Sequence, residues 1–431
     1  MKTLWVSLCL AGVAMAQAPP LSITLQDAVA RARQHAGQLQ AANFAVSLAR
    51  EDRLQTKTLR LPTVNAFNQA VYTQGNGTPS GVFVADNGVH IYTEQAQVHE
   101  EVLAIFRKGE VRRALSAEAA ARARVEVAAR GLNAVVIQNF YGVIVAQRHF
   151  TNAQLSLREA EQFVDVTEKQ EKGGEAAHSD VIKARLLLQQ RQRDLQDAQV
   201  AIEKAKIALG VLIMPTFSTE YSLVDDAGDP SLLPPTEEAR AKATATSPDI
   251  HAAQLTVDAA GYDVGVARYG YLPSLSVDLF YGINSNRFAV TGGRYPDEKD
   301  RNNLGYQAQV TLNIPVWNWG VTGSKIRQAE LKRSQAQLDL TLAGRVLEAN
   351  LAASISESKA AQRQLDSLKS TVDLAVESLR LTLLRYQAGE AVTLEVVDAQ
   401  STLTQARNGY SDGQVRYKAA IANLQTLMGT L

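Results

Sequence analysis

The sequence predicts a mainly α-helical exported protein, built from one unit written twice, that meets a membrane only through β-strands. Three observations carry this. All twelve prolines lie between residues 19 and 315, so 80–214 and 316–431 are proline-free tracts rich in Ala, Leu, Gln, Arg and Glu, the pattern of unusually long helices. Segments recur at a nearly constant offset: Leu61-Pro62-Thr63-Val64 as Leu272-Pro273-Ser274-Leu275, and 171–190 as 386–405 with seven identities in twenty. Short strands with one apolar and one polar face sit between the helices.

Composition excludes other classes. With 44 Lys+Arg against 44 Asp+Glu the chain lacks the basic excess of a nucleic-acid binder. Its 46% hydrophobic content and mixed charge exclude a disordered chain. The first segment is an address: Lys2, the apolar run Leu4–Val13 and the small-x-small triplet Ala14-Met15-Ala16 read as a signal peptide over 1–16. Cys9 falls inside it, and the large Leu8 before Cys9 argues against a lipoprotein anchor. A mature chain from Gln17 then has no thiol. The most apolar later stretch, Leu132–Gln147, is too short to span a bilayer and carries Gln138 and Asn139, so it reads as a buried helix segment.

The repeats run over 17–214 and 236–431, joined by a Pro/Gly/Asp-rich linker, 215–235. Each opens with a short helix whose first amides Thr24 or Thr236 can cap. A second helix follows over 37–60 or 248–271, the latter entered through the Ser247-Pro248 N-cap and N1 pair. Two strands then flank a Gly/Asn-rich loop (Gly75–Gly88; Asn284–Asn303). They cover about 62–74 and 90–104 in the first repeat, and 273–285 and 304–316 in the second. A long helix (109–172; 320–388) and a last helix (175–212; 391–428) close the unit. The long helices, at 1.5 Å per residue, reach about 100 Å, which the two shorter helices of each repeat match end to end. Leu365, Leu368, Val372, Ala375 and Leu379 form a 3-4 coiled-coil seam.

In Leu275–Ile283 every odd position is apolar, and in Tyr306–Ile314 every even one. Lipid outside and water inside a barrel fit this alternation, as does a half-buried soluble hairpin. The first-repeat strands are weaker, with Asn68 and Glu94 on the supposed lipid face. Four strands cannot close a barrel, and an open edge cannot sit in hydrocarbon, so a membrane barrel needs several chains.

The duplicated order, "TLQDAVARA", "SPDIHAAQ", "LPSLSV", "LNIPVWNWG" and "YQAGEAVTLEVVDAQ" resemble the TolC-like outer-membrane efflux proteins across essentially the whole mature chain. That resemblance implies a homotrimer, with a twelve-stranded β-barrel continuous with a periplasmic tunnel of twelve helical tracks and a belt containing the linker. It implies a passive duct in the outer membrane, reaching into the periplasm, opened by an inner-membrane pump and a periplasmic adaptor of a tripartite efflux or type I secretion system. A periplasmic adaptor and an exported coiled-coil structural protein are the rival readings; neither explains both the duplicated helices and the alternating strands.

The resemblance also implies site residues. Glu395 and Asp398 fall where acidic side chains ring the tunnel's periplasmic neck, with Asp180 and Lys183 as their first-repeat counterparts. Spaced i, i+3, the two acids share a helix face; acids near a helix start also simply suit the macrodipole. Tyr386 matches the tyrosine of the family's closing network, whose arginine is replaced by Ala391. Gly174-Glu175-Ala176 and Gly389-Glu390-Ala391 match tip turns that meet the adaptor, although glycines that cap helices explain themselves without one. Trp317 and Trp319 suit an aromatic belt at the headgroups or packing at the barrel-to-helix joint. The histidines show no metal-ligand spacing, and no nucleophile elbow or phosphate loop appears, so neither enzyme nor cofactor is expected.

Overall fold

The computed structural model describes residues 21–72, 90–103, 108–216, 218–229, 232–285, 288–290 and 303–431. The export segment 1–16, the loop Gly75–Gly88 and most of the loop Asn284–Asn303 lie outside the described residues.

The first half runs β1 (Leu21–Ile23), α1 (Leu25–His35), α2 (Gly37–Thr58), β2 (Thr63–Tyr72), β3 (His90–Glu101), α3 (Lys108–Lys172) and α4 (His178–Ile213). The second half repeats that order: β4 (Tyr221–Leu223), α5 (Thr236–Thr246), α6 (Pro248–Arg268), β5 (Ser274–Ser285), β6 (Leu304–Asn313), α7 (Val321–Gln387) and α8 (Thr393–Met428). The expected strand ends at 74 and 104 lie outside the described residues; the other element ends differ from the sequence expectation by at most three residues. Among the helices α6 stops earliest, its last turn tightening into a 3₁₀ turn, Tyr269–Tyr271.

Two caps behave as expected. The Thr24 hydroxyl accepts from the Asp27 amide at 3.2 Å while the Asp27 carboxylate accepts from the Thr24 amide, a reciprocal capping box. The Ser247 hydroxyl accepts from the Ile250 amide ahead of Pro248. Thr236 does not cap. It lies inside α5, whose first turn is closed by the Pro235 carbonyl, and its hydroxyl instead receives Lys359 at 3.0 Å.

The described chain divides into two units. One comprises residues 40–128 and 247–347 and holds the four-stranded antiparallel sheet, in the order β2-β3-β5-β6. Its register sets Leu275, Val277, Leu279, Tyr281 and Ile283 opposite Leu312, Val310, Ala308, Tyr306 and Leu304, so one face is apolar. The alternate positions pair Ser276 with Thr311, Asp278 with Gln309 and Phe280 with Gln307. Asn68 and Glu94 oppose each other directly on this face, which also carries Glu100 and Ser285 towards its two ends. Gly282 is obligatory: a Cβ there would collide with the Glu94 carbonyl oxygen and the Gln95 backbone of the adjoining strand. Where α2 meets α3, the nearly buried Glu118 receives Arg53 and Arg122, each at 2.5 Å. Burial pushes its carboxyl up, but the two guanidiniums outweigh burial and hold it below the ordinary carboxylate range.

The other unit comprises residues up to 39, 129–246 and 348–431. Leu132–Gln147 is a buried stretch, as expected: Val136, Ile137, Phe140, Val143 and Ile144 pack on Ile23, Val29, Leu209, Ile213 and Tyr221. The short parallel pair β1–β4 borders this core. Ala375 and Leu379 of the expected seam are buried with Val396, Leu403 and Ala406 of α8, and Val372 packs at their edge. Among the described residues no helix is long and apolar enough to cross a membrane.

Candidate functional site: two helical turns and the seam between repeats

Both expected tip turns lie in the unit without the sheet, and their backbones are the same motif. In the first, Gly174 has φ +81°, the Glu175 amide bonds the Gln170 carbonyl at 2.8 Å and the Gly174 amide bonds Glu171 at 2.9 Å. In the second, Gly389 has φ +78°, with Glu390 to Arg385 at 2.8 Å and Gly389 to Tyr386 at 3.1 Å. These are Schellman caps, in which a left-handed residue lets two amides return to the last helical carbonyls. A β-carbon at either glycine would meet no atom within 4 Å, so glycine is required there by backbone conformation rather than space. Glu175 and Glu390 are exposed beside them, with Ala176 and Ala391 half-buried.

The side chains that clamp the turns differ. His178 Nδ1 lies 2.7 Å from Glu171 across the first turn. Across the second, Arg385 reaches Glu395 Oε2 at 3.1 Å and the Glu390 carbonyl at 3.1 Å. Glu395 Oε1 also receives the Val392 amide at 3.4 Å. Glu395 thus serves the start of its helix and carries a counter-ion, which sequence reasoning missed. Arg385 sits at the same 215-residue offset from Gln170 that relates the turns, and this was the available signal. Asp398 is exposed and its carboxylate has no partner among the described residues. Asp180 pairs with Lys183 at 3.2 Å within α4, and among the described residues neither is bonded to Glu395 or Asp398.

Tyr386 is buried. Its hydroxyl donates to Thr167 Oγ1 at 3.3 Å and accepts from Thr393 Oγ1 at 3.5 Å, and its ring packs on Phe163 with centroids 5.4 Å apart. It therefore joins α3, α7 and α8 through uncharged hydroxyls. Beyond it α3 and α8 share a ladder of polar pairs: Glu159–Arg407 at 2.8 Å, Ser156–Thr404 at 2.9 Å, Asn152–Asn408 at 2.8 Å and His149–Asp412 at 2.8 Å. Apolar side chains of α3, α7 and α8 pack beside this ladder, and α7 and α8 also share the Glu357–Arg416 ion pair.

Trp317 and Trp319 belong to the unit with the sheet, on the link from β6 to α7. Both rings are exposed, 75% and 87%, and meet edge to face at 5.9 Å. Trp319 takes φ +54°, an uncommon conformation for an aromatic residue, ahead of Gly320 at +79°. Among the described residues no three His, Cys, Asp or Glu side chains are grouped to hold a metal.

Residues 239–430 match the outer membrane efflux protein family. Outer membrane protein TolC of Vibrio cholerae is 29% identical over 184 residues, 42% of this chain and 40% of that protein. The pyoverdine export outer membrane protein OpmQ of Pseudomonas putida is 27% identical over 294 residues, 64% of this chain and 57% of that protein. The chain thus spans about half the length of these relatives. In fold it follows the CmeC outer membrane channel of Campylobacter jejuni, with a TM-score of 0.81 at 16% identity over 94% of this chain and 85% of that one. In the match of residues 239–430, in its relatives and in its fold, the chain is similar to the TolC-like outer-membrane efflux proteins.

Proposed function

We propose that the chain is the outer-membrane exit duct of a tripartite efflux or type I secretion system, working as a homotrimer with an inner-membrane pump and a periplasmic adaptor. One observation carries the reading: among the described residues the sheet has a face that is apolar throughout β5 and β6 up to Ile283 and Leu304, and β2 and β6 are its outer strands. An apolar face suits lipid, but open edges leave backbone amides and carbonyls without partners, which hydrocarbon does not tolerate. Copies joined edge to edge satisfy them, and three copies give the twelve-stranded barrel of the family.

In this reading residues 1–16 direct export, the repeats 17–214 and 236–431 each supply two strands and two helical tracks, and 215–235 joins the belt. The exposed Trp317 and Trp319 sit at the headgroups. The turns around Gly174 and Gly389 receive the adaptor, and Glu395, Asp398, Asp180, Lys183 and Tyr386 surround the periplasmic neck. Conduction is passive. Membrane fractionation followed by mass measurement in detergent tests this: an outer-membrane trimer supports the duct, and a soluble periplasmic monomer overturns it.

A further inference from the structure

The polar face of the sheet is unevenly polar. Its ionisable side chains among the described residues, His99, Asp278 and Glu101, gather at the strand ends that lead into the helices, with His99 2.7 Å from Asp278. The two rows farther along carry no charge. One holds Asn65, Gln97, Phe280 and Gln307, and the next holds Phe67, Gln95, Gly282 and Gly305. Two phenyl groups therefore stand among carboxamides on a face that is mostly polar apart from the Val71–Ile91 pair farther along, forgoing burial that apolar side chains normally gain. Phe67 is 43% exposed.

Next to Phe280, and across Gln95 from Phe67, the sheet is bare. Gly282 is imposed by the neighbouring backbone, but at Gly305 a β-carbon would meet nothing within 4 Å, so packing does not demand its absence. The adjacent glycines leave a flat floor of peptide planes. Phe280 borders it two residues along its strand, about 7 Å away, and Phe67 two strand spacings across, about 10 Å away.

We infer that the barrel interior carries a mid-strand collar of amide and phenyl groups that takes up the planar aromatic parts of passing solutes. The inference rests on the trimeric-barrel reading, which turns this face toward the lumen. Rings stack on Phe67, Phe280 and the exposed peptide floor, while Gln95, Gln97 and Gln307 bond polar substituents. With no charge in these rows, the collar sorts solutes by aromatic surface rather than by sign.

The probes are phenyltrimethylammonium and tetramethylammonium, equal in charge and differing by one phenyl, tested as blockers of the full-length channel in a planar bilayer. One stacking contact corresponds to a block about five-fold stronger for the phenyl compound. The double variant Phe67→Ser, Phe280→Ser brings the ratio of blocks near one, and Phe67→Leu, Phe280→Leu, which keeps apolar volume without π-faces, also lowers it. A conducting wild type with no preference overturns the collar, as does either double variant with the wild-type ratio. A wild type that forms no conducting trimer overturns the duct reading itself, and the collar with it.

Discussion

Arg385 and Glu395 meet across the second helical turn at 3.1 Å, and the same guanidinium holds the Glu390 carbonyl. An acidic neck built on Glu395 therefore carries its own counter-ion, leaving unpaired Asp398 as the stronger source of field. The pair is about half exposed, so its contribution to stability is about 1 kcal/mol or less.

Arg385→Ala should raise the cation preference of the reconstituted channel, because it uncovers Glu395. Glu395→Ala with Asp398→Ala should abolish that preference, and Lys at both positions should reverse it. Reversal potentials under a salt gradient measure all three. Permeability ratios identical to wild type would place these carboxylates away from the constriction.

Valine at Gly174 and Gly389 should cost about 1–3 kcal/mol per site, from forcing a β-branched residue to positive φ without any clash. Trimer abundance should stay normal while efflux with the cognate pump and adaptor fails. Full efflux by the double variant would show that docking happens elsewhere.

Tyr386→Phe removes the hydroxyl shared by Thr167 and Thr393 but keeps the ring on Phe163. The expected loss is about 1–3 kcal/mol, since two buried hydroxyls lose a partner. Tyr386→Ala should cost about 3–5 kcal/mol by opening a cavity. Denaturant midpoints of the trimer rank the two; equal losses would mean the ring contributes nothing.

On the sheet, Val310→Arg places a cation on the apolar face and should cost about 2–4 kcal/mol near the bilayer midplane, whereas its polar-face neighbour Gln309→Arg should be tolerated. Trimer yield from outer membranes compares them, and equal yields would overturn the assignment of faces.

The Glu118 carboxyl titrates below its ordinary range in the folded chain, so its stabilisation is present above that range and lost as pH falls through the folded value. Glu118→Gln should flatten the stability profile on the acid side. An acid limb as steep as that of wild type would show that other carboxylates set it.

The chain's long-range plan was legible because it is periodic. Proline-free tracts, the 211- to 215-residue offsets and the two-residue alternation each constrain many residues at once, and element ends among the described residues moved by no more than three positions. Individual partners were not legible. Arg385 finds Glu395 only after a turn has folded ten residues back, and Thr167 meets Tyr386 across 219 residues. Thr236 has the chemistry of an N-cap, yet the Pro235 carbonyl closes that turn, freeing the hydroxyl for Lys359. Such choices depend on tertiary placement, which composition and spacing leave open.

The polar ladder from Glu159–Arg407 to His149–Asp412 has a calorimetric consequence. Wetting apolar surface raises heat capacity, whereas wetting polar groups lowers it. Drawing α8 away from α3 would uncover these amides, hydroxyls and charges along with apolar groups such as Phe163 and Leu403, so the ladder subtracts from a positive heat-capacity increment. The work of parting the two repeats along that line therefore varies less steeply with temperature than it would across an all-apolar contact of the same area.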